Sequence, residues 1–277
     1  MAYGMKRYLR LACIQNNAGS DWKKNLIRVN DLVKKALRYK VELIAFPETF
    51  CARESHDQSS SMAHEVTPRI IWHFCDLAKK NQVAFLLGSV TETSPQKTRF
   101  YNTSILISET GRIAARYRKI HLFDIKLKGR VVNRESKWIF PGRRIETGRV
   151  WGMRMGLTVC YDLRFPELFR RLVGQGARLV FVPANFTETT GKDHWEVLLR
   201  ARAIENQIFV VAPGQVGIHP VSKIPSFGTS LVIDPWGRVL ARGSQKREEI
   251  LIAQLDFSFQ DRLRREFPVL RHRRLIG

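Results

Sequence analysis

Three polar residues stand where apolar, strand-like runs end. Glu48 follows Leu43-Ile44-Ala45-Phe46-Pro47, Lys119 follows the run ending at Tyr117, and Cys160 ends Met155-Gly156-Leu157-Thr158-Val159. A thiol, a carboxylate and an amine suit hydrolysis of an unreactive acyl compound such as an amide. The thiolate divides one difficult reaction into acylation and deacylation, each with a lower barrier. A free thiol has a pKa of about 8.5, so it needs a base at neutral pH. A carboxylate can accept that proton, pass it to the departing amine and then activate water. A lysine adds fixed positive charge for the oxyanion of the tetrahedral intermediate. In α/β folds ligands bind beyond the carboxyl ends of strands, where these residues could converge. Taken singly, each has a plainer reading: a solvated loop glutamate, or a cysteine acting as a small core hydrophobe.

Other catalytic signatures are absent. The chain has no G-x-S-x-G elbow, Walker A loop or H-E-x-x-H. Gly174-Gln175-Gly176 reads as a helix end. The four cysteines, Cys13, Cys51, Cys75 and Cys160, form no C-x-x-C pair, and the seven histidines are scattered. Neither a metal nor another cofactor is expected.

The elements that must carry these residues alternate. Leu9–Gln15 reads as a strand, and Asp21 caps a helix whose apolar residues recur at three-to-four spacing through Leu37. Val41–Phe46 reads as a buried strand, and Thr67-Pro68 opens a helix with Ile70, Ile71, Phe74, Leu77 and Ala78 on its buried face. Val83–Val90, Tyr101–Ser108 and Ile113–Tyr117 read as strands, the last two a hairpin. His121–Arg149 is basic, has little periodicity and reads as a long loop. Strands follow at Arg154–Cys160, Leu179–Pro183, Ile208–Ala212 and Glu249–Leu255, with helices at Pro166–Gln175 and His194–Asn206. Ser230–Asp234 and Val239–Ala241 form a hairpin, and a basic helix ends the chain. This pattern predicts one α/β domain with mixed sheets.

The charge is +22, from 47 Lys and Arg against 25 Asp and Glu. It favours an anionic partner and leaves open nucleic acid, an acidic surface or an anionic substrate. No RNP-type aromatic motif or zinc finger supports nucleic acid. No run of roughly eighteen apolar residues is present, so no membrane helix is expected. The apolar stretch behind the basic N-terminus is too short for a signal peptide, and a cytoplasmic setting is expected.

Longer motifs carry a resemblance. Phe46-Pro47-Glu48, the run from Tyr117 to Asp124, Arg134-Glu135-Ser136, the run from Val159 to Glu167, the run from His194 to Leu198, and Asp234-Pro235-Trp236-Gly237 resemble the nitrilase, or carbon–nitrogen hydrolase, superfamily. The similarity spans about Leu9 to Arg274 in the family's order. It implies a four-layer αββα sandwich in one domain, residues 1–277, with a core at about 9–256 and a basic helix and tail at 257–277. It also implies homodimers or higher homo-oligomers. The family's catalytic set falls on Glu48, Lys119 and Cys160, with Glu135 as an additional glutamate that orients Lys119 or the substrate amide. The N–H of Tyr161 is then the second oxyanion donor.

True nitrilases place Trp-Glu after the cysteine, whereas this chain has Tyr161-Asp162. Leu163 departs from the Asn-Asp-Arg-Arg of many carbamoyl-amino-acid hydrolases. The chain is most similar to omega-amidases and deaminated-glutathione amidases, which implies a small linear amide as substrate. Arg164 is a candidate for binding a substrate carboxylate, with a salt bridge to Glu167 or Asp162 as its alternative. Asn185 is a candidate pocket residue, with a turn role as its alternative. His194 could pack near the site, and Cys51 could reach the pocket wall. The basic side chains of Lys126–Arg149 are expected to rim the pocket and favour a carboxylate-bearing amide.

Overall fold

The structure, a computed structural model, describes residues 6–127 and 131–275. The ends of the expected 1–277 domain, and Lys128 and Arg130 of the basic segment, lie outside the described residues. Strands and helices are numbered along the chain. The first sheet contains β1 (Tyr8–Gln15), β2 (Leu43–Ala45), β3 (Ala84–Thr93), β4 (Phe100–Ile107), β5 (Ile113–Arg118) and the late strand β16 (Glu249–Asp256), in the order β16-β1-β2-β3-β4-β5. A separate hairpin pairs β6 (Asp124–Leu127) with β7 (Val131–Arg134). The second sheet contains β8 (Thr147–Val150), β9 (Met153–Leu157), β10 (Leu179–Phe181), β11 (Phe209–Ala212), β14 (Leu231–Ile233) and β15 (Val239–Arg242), in the order β8-β9-β10-β11-β14-β15. A small hairpin, β12 (Val216–Ile218) with β13 (Pro225–Phe227), completes the strands.

The two sheets share one plan. From β16 to β5 the pairings run antiparallel, parallel, parallel, antiparallel, antiparallel. From β8 to β15 they repeat that series. β2 and β10 are therefore equivalent central strands.

Alternation along the strands sets the layers. Successive side chains point to opposite faces. In β1, Leu9, Leu11 and Cys13 join the core between the sheets, whereas Ala12 and Ile14 join a second core. β2 divides in the same way, with Leu43 and Ala45 against Ile44, and β3 with Ala84 and Leu86 against Phe85 and Leu87. Burial on both faces explains why these strands read as continuous apolar runs. The second core packs under α1 (Trp22–Leu37), through Val29, Val33 and Ala36, and under α3 (Thr67–Asn81), through Ile70, Phe74 and Ala78. α4 (Pro166–Gly174) and α5 (Glu188–Asn206) cover the second sheet with Leu168, Phe169, Leu172, Trp195, Leu199 and Ala203. The expected αββα order is present. α1 begins as the sequence indicates, with the Asp21 carboxylate accepting from the N–H of Lys23 at 3.0 Å and of Lys24 at 3.3 Å.

Several boundaries differ from expectation. The helix expected at His194 begins at Glu188, with the extended Thr187 ahead of it. α3 does not open freely at Thr67-Pro68: α2 (His56–Ser61) and a π turn at Met62–Val66 lead into it. The basic segment His121–Arg149 is not a structureless loop, since it holds the β6–β7 hairpin, a 3-10 turn at Glu135–Lys137 and the start of β8. Hairpins this short bury too little apolar surface to leave a periodic signature. The basic C-terminal helix is α6 (Phe257–Glu266). Among the described residues no helix is long and apolar enough to cross a membrane.

Candidate active site

The carboxyl ends of β2, β5, β9 and β10 open on one cavity of about 310 Å³, whose walls include Glu48, Asn102, Lys119, Glu135, Cys160 and Asn185. Glu48 is positioned by a close approach. A Cβ at Gly88 would stand 2.1 Å from the carbonyl oxygen of Phe46 and 2.2 Å from that of Pro47. Only glycine lets β3, which bulges between Leu87 and Val90, press on the chain just ahead of Glu48. The next residues are tied as well, with the Thr49 N–H donating to Ser89 Oγ at 2.9 Å.

Cys160 sits on a sharp turn. β9 ends at Leu157, short of the expected Cys160, and Cys160 opens a 3-10 turn running to Arg164 with φ of +49°. A side chain in this left-handed region is strained, and such strain persists only where its surroundings hold it. The Cys160 N–H donates to the Pro183 carbonyl at 2.9 Å. Asp162 holds the other side. Fully buried, it accepts from the Val159 N–H at 2.8 Å, the Tyr117 hydroxyl at 2.8 Å, the His121 N–H at 3.1 Å and His121 Nδ1 at 2.7 Å. Tyr117 and His121 flank Lys119, so one carboxylate fastens the cysteine turn to the end of β5.

Lys119, buried, lies between two carboxylates. Its Nζ is 2.9 Å from Glu48 Oε1 and 3.0 Å from Glu135 Oε1. Glu48 Oε1 also accepts from Asn102 Nδ2 at 2.9 Å, and Oε2 accepts from the Asn185 N–H at 2.8 Å. Glu135 Oε2 accepts from the Phe123 N–H at 2.6 Å.

The electrostatics separate the two acids. Burial works to raise the Glu48 pKa, but the Lys119 charge and the hydrogen bonds from Lys119, Asn185 and Cys160 outweigh it and hold this carboxyl below its usual range. Glu135 is raised by burial and by the Glu48 charge, despite Lys119. Lys119 loses solvation, yet Glu135, Glu48 and Cys160 hold it well above the usual lysine value. Burial, then the Glu48 charge, pushes the Cys160 thiol well up, so its resting form is the thiol.

The candidates from sequence divide. Glu48, Lys119, Glu135, Cys160 and Asn185 share the cavity. Tyr161 lies beside it, with its ring edge-on to Phe123 and its side chain lining an adjoining small cleft with Cys160. Arg164 is absent from the walls of both spaces. Its Nη1 meets His194 Nδ1 at 3.3 Å and its guanidinium stacks over Phe186 and Tyr161, so its partner is neither Glu167 nor Asp162. Cys51 is not in the cavity wall; its buried thiol donates to the Trp22 carbonyl at 3.8 Å and burial pushes its pKa up to about 12.

The basic segment passes beside the cavity as expected, but contributes Asn133, Glu135, Trp138 and Ile139. Its described cations Lys126, Arg134, Lys137, Arg143, Arg144 and Arg149 are exposed and stand outside the walls. Arg143 and Arg144 instead line a separate groove with Arg116 and Arg118. Of the described cations, only Lys126 and Arg134 belong to the hairpin; Lys137 lies in the 3-10 turn and Arg149 in β8.

Sequence reading missed Asn102, Asp162 as an organiser, Arg53 and His219. Asn102 sits in a strand whose eight residues are all buried, where an amide needs a partner. Arg53 follows the apolar Phe50-Cys51-Ala52 just after Glu48, an unusual place for an arginine.

Known proteins resemble this chain in sequence and fold. The carbon–nitrogen hydrolase family profile matches residues 10–265. The deaminated glutathione amidase of Synechocystis is 36% identical over 273 residues, covering 97% of this chain and 99% of that protein. The human deaminated glutathione amidase is 36% identical over 270 residues, covering 95% and 82%. Among solved structures, Caenorhabditis elegans NitFhit superposes with a TM-score of 0.91 at 35% identity, covering 98% of this chain and 66% of that one. Saccharomyces cerevisiae Nit3, of branch 10 of the nitrilase superfamily, gives 0.86 at 29% identity, covering 98% of both chains. The chain therefore belongs to the carbon–nitrogen hydrolase family, the nitrilase superfamily, and is a hydrolase of carbon–nitrogen bonds other than peptide bonds.

Proposed function

We propose that this chain is a cysteine-dependent amidase that converts a small linear, carboxylate-bearing amide to acid and ammonia through a thioester. The carrying observation is the convergence of Glu48, Lys119, Glu135 and Cys160 in one cavity, with Lys119 within 3.0 Å of both carboxylates.

As an amide enters, Glu48 takes the thiol proton while sulfur attacks the carbonyl carbon. The carbonyl oxygen becomes an oxyanion facing the Lys119 ammonium and the Tyr161 N–H, which lies in the first turn of a 3-10 segment where N–H groups lack intrahelical partners. Glu48 then gives its proton to the leaving nitrogen, ammonia departs, and a thioester remains. Water, deprotonated by Glu48, attacks the thioester and releases the acid and the thiol. Glu135 keeps Lys119 charged and oriented.

The leading substrate candidates are 2-oxo acid terminal amides, which release ammonia, and deaminated glutathione, which releases cysteinylglycine in its place, because the relatives carry the latter name and the sequence resembles both groups. The test is hydrolysis of a panel, read as ammonia release for 2-oxoglutaramate, N-carbamoyl amino acids and simple nitriles and as release of cysteinylglycine for deaminated glutathione. Turnover confined to nitriles or carbamoyl compounds would replace the amidase reading. A homodimer or higher oligomer is part of the same proposal, to be read by sedimentation.

A further inference from the structure

Arg53 is anomalous in its charge balance. Four cations are buried among the described residues: Arg53, Lys119, Arg178 and Arg202. Lys119 faces Glu48 and Glu135, Arg178 faces Asp261, and Arg202 faces Glu205. Arg53 is only 2% exposed, and no carboxylate among the described residues lies within ion-pair distance of it. An uncompensated buried charge is expensive, by several kcal/mol even after relaxation, so a fold retains one for a reason.

Its surroundings are neutral. Nε donates to the Ala18 carbonyl, Nη1 to Ser226 Oγ at 3.1 Å and Nη2 to Asn17 Oδ1. A guanidinium has five N–H groups, so these three bonds leave two unassigned. Burial without a counter-charge lowers its pKa to about 10. Glu54, next in sequence, does not neutralise it: that carboxyl bonds the Thr91 hydroxyl, and burial raises its pKa.

Arg53 is nevertheless part of the wall of the catalytic cavity, with His219. His219 Nδ1 accepts from the N–H groups of Val221 and Ser222, both at 3.2 Å. The ring proton is thereby placed on Nε2, a donor. Burial and then the Arg53 charge hold His219 down to about 4, so the ring is neutral at working pH. The pair is also tied to the base: Ser226 Oγ, which accepts from Arg53, donates to Asn185 Oδ1 at 2.7 Å, and the Asn185 N–H donates to Glu48.

We infer that Arg53, with the His219 Nε2–H beside it, forms the subsite that receives the carboxylate at the far end of the substrate, so the enzyme selects amides that carry an anion remote from the scissile bond. The inference rests on the amidase reading. It moves charge recognition away from Arg164 and the exposed basic segment and onto one buried fork. A carboxylate there completes the ion pair that the fold leaves open, and guanidinium geometry suits two parallel hydrogen bonds.

The experiment compares wild type, Arg53→Gln, Arg53→Lys and His219→Ala. Ammonia release is followed for glutaramate and for uncharged pentanamide, and glutarate is tested for protection of Cys160 against iodoacetamide. Loss of one charge-assisted contact predicts that the glutaramate-to-pentanamide ratio of kcat/KM falls about tenfold or more in Arg53→Gln, chiefly through the KM of glutaramate. Half-protection should need about tenfold more glutarate. An unchanged ratio, or an equal fall for both amides, overturns the subsite. If Arg53→Gln does not fold, His219→Ala decides in the same way, a reduced ratio supporting the subsite and an unchanged one overturning it; Arg53→Lys, which keeps the charge and loses the fork, should retain part of the preference for glutaramate. If no amide releases ammonia but glutarate protects Cys160 in an Arg53-dependent manner, the amidase reading falls and the subsite stands.

Discussion

Asp162→Asn is the most informative single change, because it keeps the shape of the side chain and alters only what it can accept. The carboxylate takes four hydrogen bonds, two on each oxygen. An asparagine must turn its NH2 toward one pair. Toward Oδ2 it meets the Tyr117 hydroxyl, which can rotate to accept, and the Val159 N–H, which cannot. Toward Oδ1 it meets the His121 N–H, again a fixed donor. Either way one donor loses its partner, at about 1–3 kcal/mol. Melting temperature moves roughly 2–4 °C per kcal/mol in chains approaching this size, so a fall of about 4–8 °C is expected for the middle of that range. The catalytic loss should be larger than the stability loss implies. The Val159–Asp162 bond lies beside a residue held at φ of +49°, whose intrinsic preference of roughly 1–2 kcal/mol is to leave that conformation. A nucleophile displaced by about 1 Å can lose about a hundredfold in rate. The assay is ammonia release at 25 °C, well below the melting transition, together with the rate of Cys160 alkylation. A variant that melts lower but retains wild-type kcat would refute the claim that Asp162 positions Cys160. One unchanged in both would refute the account of its hydrogen bonds.

Other outcomes follow from the same geometry. Cys160→Ala should release no ammonia while melting like wild type, and peptide mass mapping after limited alkylation should find Cys160 modified ahead of Cys13 and Cys51, which are closed in the core. Glu48→Gln should lower turnover by at least about a hundredfold, since an amide cannot carry the proton, and Lys119→Ala should lose a similar factor by removing an oxyanion donor; near-normal rates would exclude these roles. For pH, Glu135 is held above and Glu48 below the ordinary carboxyl range, so acidification protonates Glu135 first. The kcat/KM profile should descend in two steps, and Glu135→Gln should lack the upper step; an upper step that persists in the variant would contradict this order.

Legibility in the sequence followed the physics of each feature. The strands that carry Glu48 and Cys160 were readable because burial on both faces writes an uninterrupted apolar run. The hairpin in the basic segment was not, since its side chains are largely exposed and leave no alternation. The matching plan of the two sheets was invisible because it is a repeat of strand pairing, which joins segments far apart in the chain. The same limit explains Arg164 and Arg53. Proximity in sequence favoured Arg164, close after Cys160, but the 3-10 turn directs it to His194. Arg53 reaches the cavity through hydrogen bonds to Ala18, Ser226 and Asn17, distant contacts that a linear reading cannot supply.

On the proposed mechanism, the resting charges explain how one site can both hold a neutral thiol and ionise it. Burial alone would leave Cys160 as inert as Cys13, whose thiol burial also pushes up. The difference is that Cys160 has an acceptor in Glu48, already ionised by Lys119. In the proposed reaction, as the proton moves from sulfur to Glu48, negative charge transfers from carboxylate to sulfur and then to the carbonyl oxygen of the amide. At each stage it remains near the same ammonium. No net charge enters or leaves the buried site, so no new desolvation is required, which is where a low-dielectric interior would otherwise impose its largest penalty. Glu135 gives this arrangement its second requirement. With Glu48 protonated, Lys119 would lose one counter-charge at the moment the oxyanion needs it fixed in place. Glu135, 3.0 Å from the same nitrogen and held by the Phe123 N–H, keeps the ammonium paired and aimed while Glu48 carries the proton.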